Sequence, residues 1–191
     1  MEKKEKILEG AMKEFLVQGY AGTSMDRVAK AAAVSKTTVY SHFGDKEGLF
    51  VALVERLAKK KYSEVFSQGN HSLLQGEPEV VLRQFATKMV DLACEDTEDL
   101  TFIRLIVGES GRFPKLAETF VSNLVKPGIE VLSQYLASRP ELEIEDREAT
   151  ARVILGSLVY FKIVQVMLYG EKIVPMEGDR LINSLLHLLL R

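Results

Sequence analysis

Apolar residues recur at helical spacing along almost the whole chain, and nowhere does the pattern alternate as a strand would. In the first segment Ile7, Leu8, Ala11, Met12, Phe15 and Leu16 make one stripe, and Gly19 closes it. Thr23 or Ser24 then caps a short second helix whose inner side is Met25, Val28, Ala29 and Ala32. Ala33, Val34 and Ser35 make a turn. Ser35 caps a third short helix, and Val34 packs on Val39 as a hydrophobic staple that sets the entry angle. Gly44 ends that helix, and Asp45 caps a fourth over residues 46–68. After a turn-rich connection at 69–78, helices are expected near 79–94, 98–110, 114–138, 146–169 and 178–190. Pro127 should kink the 114–138 segment, because proline removes one ladder bond and crowds the preceding turn. The fold predicted is all-α, with about nine helices and a helix-turn-helix at about 24–43.

The third helix is about two turns long and cannot persist alone, so its neighbours must hold it. It buries Val39 and Phe43 and leaves Lys36, Thr37, Tyr40 and Ser41 on the opposite face, with Thr38 and His42 beside them. In a helix-turn-helix the second helix enters the major groove of DNA, and these side chains suit that surface. Lys36 can donate to guanine, Thr37 can bond a base or touch a thymine methyl, and Tyr40 can reach a phosphate or a base edge. Lys46 opposes the dipole of the fourth helix, a conflict that a phosphate at the helix N-terminus would resolve. Thr23, at the start of the second helix, is placed for a similar contact or for a plain cap.

Charge supports this reading by its distribution. The net charge of −2 argues against a generic nucleic-acid binder. Residues 1–60, however, hold 11 Lys+Arg against 8 Asp+Glu, and no carboxylate lies between Asp26 and Asp45, where Arg27, Lys30 and Lys36 fall. The single cysteine, Cys94, excludes an internal disulfide and fits a reducing cytoplasm. The N-terminus lacks the apolar core of a signal peptide, and the strongly apolar run 153–161, bounded by Arg152 and Lys162, is too short to span a bilayer. No membrane role is expected.

The run GTSMDRVAKAAAVSKTTVYSHFGDKEGLF resembles the DNA-binding domain of the TetR/AcrR family of bacterial transcription regulators, over roughly residues 5–55. Thr23, Val28-Ala29, Val34-Ser35, Val39-Tyr40, Phe43, Lys46 and Leu49-Phe50 carry the likeness. Ala33 departs from it, since the family usually has glycine there, and Ser41-His42 stand where an aromatic pair is common. The resemblance implies a DNA-binding head over residues 1–50, a dimerising and ligand-sensing domain over 51–191, and repression relieved by a small molecule. The stretch ESGRFPKLAETFVSNLVKPGIEVLSQYL resembles the C-terminal domain of the AefR-like branch.

Two downstream segments, VILGSLVYFKIVQVMLY (153–169) and LINSLLHLLL (181–190), read as apolar nearly all round and so must be buried on two sides. A two-fold homodimer satisfies this, with Val159, Ile163, Val166, Leu181, Leu185, Leu188 and Leu189 at the interface; a monomer core would as well. Phe85, Met89, Leu92, Phe102, Ile106, Phe113, Phe120, Leu124, Tyr160, Phe161, Val164 and Met167 supply the aromatic and aliphatic surface an effector pocket would need, or an ordinary core.

An enzyme is not expected. The phosphate-cradling, nucleophile-elbow and zinc motifs are missing, and His42, His71 and His187 are scattered and away from Cys94. The acidic run 95–99 lacks calcium-loop spacing, and no cofactor or metal is called for. The partners expected are double-stranded DNA, a second copy of the chain and a small-molecule effector. A helical body that docks a protein instead of an effector, and activation instead of repression, are the alternatives.

Overall fold

The computed structural model describes residues 3–66, 76–95 and 97–190, without the side chains of 62–66, 92–95 and 97. The expected connection at 69–75, His71, and the side chains of Leu92 and Cys94 lie outside that description. Among the described residues the secondary structure is helical throughout. Ten α-helical segments run in chain order: α1 (Lys3–Gly22), α2 (Met25–Ala31), α3 (Lys36–Phe43), α4 (Lys46–Phe66), α5 (Pro78–Glu95), α6 (Thr97–Glu109), α7 (Pro114–Phe120), α8 (Lys126–Ala137), α9 (Arg147–Lys162) and α10 (Gly178–Leu189). A π-helical turn, Val121–Val125, follows α7 and leads into α8, so that counting these two together gives nine helices among the described residues. The kink expected at Pro127 takes this form. Proline lacks an N–H, and its ring would collide with the carbonyl four residues back; a widened turn relieves both problems.

The chain divides into two compact units, Met1–Lys59 with Glu98–Leu124, and Lys60–Thr97 with Val125–Arg191. In the first, Ile7, Leu8, Ala11, Met12 and Phe15 from α1 meet Val28 and Ala29 from α2, Val39 from α3, and Leu49, Phe50, Leu53 and Val54 from α4. Gly10 lets α1 and α2 touch: a Cβ there would lie 2.9 Å from the backbone nitrogen of Ala32. The same core takes Phe102 and Ile106 from α6 and Leu116 from α7. The boundary expected after residue 50 therefore does not coincide with a break in packing. Rings make a continuous cluster in this unit. Phe15 stacks on Tyr20 at 5.7 Å, Phe50 meets Tyr20 edge-on at 5.5 Å, and Tyr20 also touches Phe113 at 4.9 Å.

In the second unit α8 packs along α9, and α5 lies against α9 and α10. Its core comprises Leu82 and Ala86 from α5, Leu132, Tyr135 and Leu136 from α8, Ala151, Ile154 and Leu158 from α9, and Ile182, Leu185 and Leu186 from α10. Asp146 caps α9 by accepting from the amide of Ala149 at 2.9 Å. Two sequence readings change here. α10 is not apolar all round: Ile182, Leu185 and Leu186 are buried, while Asn183, Ser184 and His187 face outward beside Leu188. Leu185 thus belongs to its own core, whereas Leu181 and Leu189 pack against that core and are only partly buried. α9 is two-sided as expected, with Val153, Val159 and Tyr160 exposed opposite the buried Ala151, Ile154 and Leu158. Continued through a π turn, it reaches 21 residues (Arg147–Met167), whose most apolar 18-residue window has a mean hydropathy of 1.4, long and apolar enough to cross a bilayer by those measures. The shorter run counted from sequence stopped at Lys162, which the helix continues past.

Candidate nucleic-acid interface

The helix-turn-helix is built by local capping. Ser24 closes α2 by accepting from the amide of Arg27 at 3.3 Å, which settles the choice between Thr23 and Ser24. Ser35 closes α3 by accepting from the amide of Thr38 at 3.1 Å. Between them Ala33 adopts φ +53°, the left-handed region that favours glycine, and the turn forms in spite of its Cβ. Val34 is half-buried against the first core and Val39 is fully buried, so α3 is anchored through one seam. Gly44 ends α3 at φ +74°, and Asp45 caps α4 by accepting from the amide of Gly48 at 2.8 Å.

That anchoring leaves Lys36, Thr37, Tyr40, Ser41 and His42 exposed on α3. Their chemistry differs. Among the described residues the hydroxyls of Thr37 and Tyr40 have no intramolecular partner. The Thr38 hydroxyl lies 2.7 Å from that of Ser35 and belongs to the cap. Ser41 donates to the carbonyl of Thr38 at 2.9 Å and keeps its acceptor capacity. Lys36 forms an ion pair with Asp26 at 2.7 Å and stands 5.8 Å over the Tyr40 ring. The hydrogen bond to Asp26, then its charge, raises the pKa of Lys36. Arg27 and Lys30, exposed on α2, extend the cationic surface; the charge count found them but assigned them no role.

Lys46 and Thr23 do not stand as expected. The Lys46 ammonium donates to the carbonyls of Tyr20 at 2.8 Å, Thr23 at 3.0 Å and Ala21 at 3.4 Å, and lies 4.5 Å from the centre of the Tyr20 ring. Burial pushes its pKa down. The dipole conflict read from sequence is real, but the carbonyls that end α1 resolve it from inside the protein. Thr23 is buried, at 3% exposure, and its hydroxyl donates to the carbonyl of Gly19 at 2.8 Å. Gly19 breaks α1 at φ +71°, and Thr23 satisfies the carbonyl that this break orphans. Both side chains position the head from within.

The residues expected to line an effector pocket fall into two clusters. Phe102, Ile106, Phe113, Phe120 and Leu124 belong to the first core, whereas Phe85 and Met89 pack on the second. Tyr160 is 68% exposed, and Phe161 and Val164 are half-buried near the ends of the α9–α10 connection.

Residues 7–53 match the family described as bacterial regulatory proteins, tetR family, and residues 80–191 match the AefR-like transcriptional repressor C-terminal domain. The chain belongs to the TetR family. Members of this family are transcriptional regulators rather than enzymes; they bind DNA operators as dimers and often respond to small molecules. Among relatives, the transcriptional repressor AcnR of Corynebacterium glutamicum is 36% identical over 73 residues, 38% of this chain and 39% of AcnR. The likeness to AcnR thus spans well under half of either protein. The flavonoid-responsive regulator FrrA is 28% identical, with a TM-score of 0.74 over 96% of this chain and 91% of FrrA. A TetR-family regulator from Mesorhizobium loti shares the fold at a TM-score of 0.76 and 24% identity, over 98% of this chain and 95% of that one.

Proposed function

We propose that this chain is a homodimeric transcriptional repressor that works in the cytoplasm. It binds a pseudo-palindromic operator through α3 and leaves it when a small apolar or amphipathic molecule occupies the C-terminal part. The observation that carries the reading is the surface of α3: one fully buried residue, Val39, holds the helix, while Lys36, Thr37, Tyr40 and Ser41 face outward as a set of major-groove donors and acceptors. Arg27 and Lys30 on α2 supply phosphate contacts beside it, in the place the sequence reading gave to Lys46 and Thr23.

The exposed stripe of α9 supports pairing. Val153, Val159 and Tyr160 are 59%, 43% and 68% exposed, and only 17% of the most apolar window of Arg147–Met167 is buried. A second copy of the same stripe, applied across a two-fold axis, covers it. Gly156 lies in the middle of the stripe with nothing within 4 Å of a Cβ there, so a helix can approach closely. FrrA, by its name, responds to a flavonoid, and an aromatic effector of that class suits the aromatic residues Phe85, Tyr160 and Phe161. Release by an effector is a population shift, driven by the effector's preference for a spacing of the two heads that no longer matches the operator.

Selection of bound duplexes from a random DNA library tests the central claim. The expected result is two inverted half-sites about one helical turn or more apart. Recovery of no enriched sequence, or of a single unpaired site, refutes it.

A further inference from the structure

Within residues 24–44 Asp26 is the sole carboxylate. Asp45, just beyond, is already committed to the cap of α4. Asp26 stands in the first turn of α2 and reaches across to the first turn of α3, where its Oδ1 lies 2.7 Å from Lys36 Nζ, with side chains 64% and 58% exposed. The ammonium best suited to reading a base is therefore held beside a carboxylate, at the helix end that contacts base edges in this motif. An acid in the first turn suits the dipole of α2, but that role does not require Lys36. An exposed ion pair contributes little to stability, and a carboxylate turned toward DNA weakens binding by repelling phosphates. What the pair offers is a donor and an acceptor one hydrogen-bond length apart.

A G·C base pair displays the complementary set in the major groove. Guanine N7 and O6 accept, the cytosine N4 amino group donates, and O6 and N4 are themselves one hydrogen bond apart because they pair with each other. We propose that Asp26 is a specificity-determining residue, reading with Lys36 one G·C pair in each half-site: Lys36 donates to the guanine and Asp26 accepts from the cytosine. This rests on the DNA-reading function above. An A·T pair gives the ammonium one purine acceptor instead of two, and a reversed pair sets the carboxylate against acceptors. Away from the operator the two charges neutralise each other, so Lys36 adds little to sequence-independent attraction.

The test compares the full-length protein with Asp26→Asn, Asp26→Glu, Lys36→Met and Asp26→Asn/Lys36→Met. Each is used in random-library selection and in salt-dependent titration of a scrambled duplex. The wild-type half-site should contain a G·C position, and Asp26→Asn should weaken that preference by about five- to 150-fold. With Lys36 released, the scrambled duplex should bind Asp26→Asn more tightly, with a slope of log K against log salt steeper by about 0.9. In the Lys36→Met background no lysine is left to release, so Asp26→Asn should leave the salt slope unchanged while still weakening the preference at the G·C position. A folded Asp26→Asn protein with the wild-type preference and slope overturns the proposal and leaves the DNA-reading function standing. A wild-type protein that enriches no sequence overturns both. If Asp26→Asn does not fold, Asp26→Glu decides, since it keeps the charge and displaces the carboxylate by one methylene: a relaxed G·C position supports the pair reading and an unchanged one overturns it.

Discussion

Replacing Lys46 by methionine removes the ammonium and keeps most of the stem, and so separates two roles with opposite signatures. In the structure the ammonium serves the carbonyls of Tyr20, Thr23 and Ala21, two of them at 2.8 and 3.0 Å. A hydrogen bond to a charged group contributes about 1.5–3 kcal/mol net, but the three share one ammonium and do not add. The end of α1 also loses a cation at its negative pole. Against this stands the desolvation that depresses the pKa of Lys46, which methionine no longer suffers. The balance is a loss of about 2–3 kcal/mol, which for a chain of this size lowers Tm by roughly 4–12 °C. Urea unfolding should show a lower midpoint at unchanged slope. DNA binding, measured well below the transition, should keep its salt dependence, because no phosphate contact has been removed. The opposite pattern refutes the internal role: an unchanged Tm together with a salt slope shallower by about 0.9 places the ammonium on a phosphate.

Ala33→Gly should stabilise the protein by roughly 1 kcal/mol in urea unfolding, since alanine at φ +53° is strained and glycine is not. Thr23→Val, which keeps the buried shape but strands the carbonyl of Gly19, should cost about 1–2 kcal/mol without shifting base preference in library selection. Gly156→Glu introduces a charge where no atom lies within 4 Å, so sedimentation analysis should find a monomer with the wild-type helix content; a persisting dimer places the two-fold contact elsewhere. Burial raises the pKa values of Tyr20 and Tyr135 above the ordinary 10.0, so the unfolded chain loses these protons first. Their contribution is complete below pH 10.0 and declines as pH rises through the folded values, which chemical denaturation across pH 9–11 should record. Lys46, displaced in the other direction, gives the opposite slope, so Lys46→Met should steepen the decline.

What could be read from sequence was what the chain decides locally. Ser35 and Asp45 cap helices through amides three residues away, and the stripe from Ile7 to Phe15 needs only the helical period. Sums over composition went wrong where direction mattered. Residues 181–190 looked apolar all round because leucines were counted, whereas Asn183, Ser184 and His187 fall together on the outer face. Pairings between distant residues were out of reach. Asp26 and Lys36 lie ten residues apart on different helices, which is why the face of α3 read as acid-free although a carboxylate stands 2.7 Å from its lysine. Lys46 is the instructive case. Periodicity and dipole showed that a cation at the start of α4 needed a negative partner, and both phosphate and the carbonyls ending α1 qualify on electrostatic grounds. Only the packing of Tyr20 decides between them. Its ring sits against Phe15, Phe50 and Phe113 and brings its own carbonyl within 2.8 Å of the ammonium. The turn after α6 and the start of α4 therefore bear on one aromatic side chain.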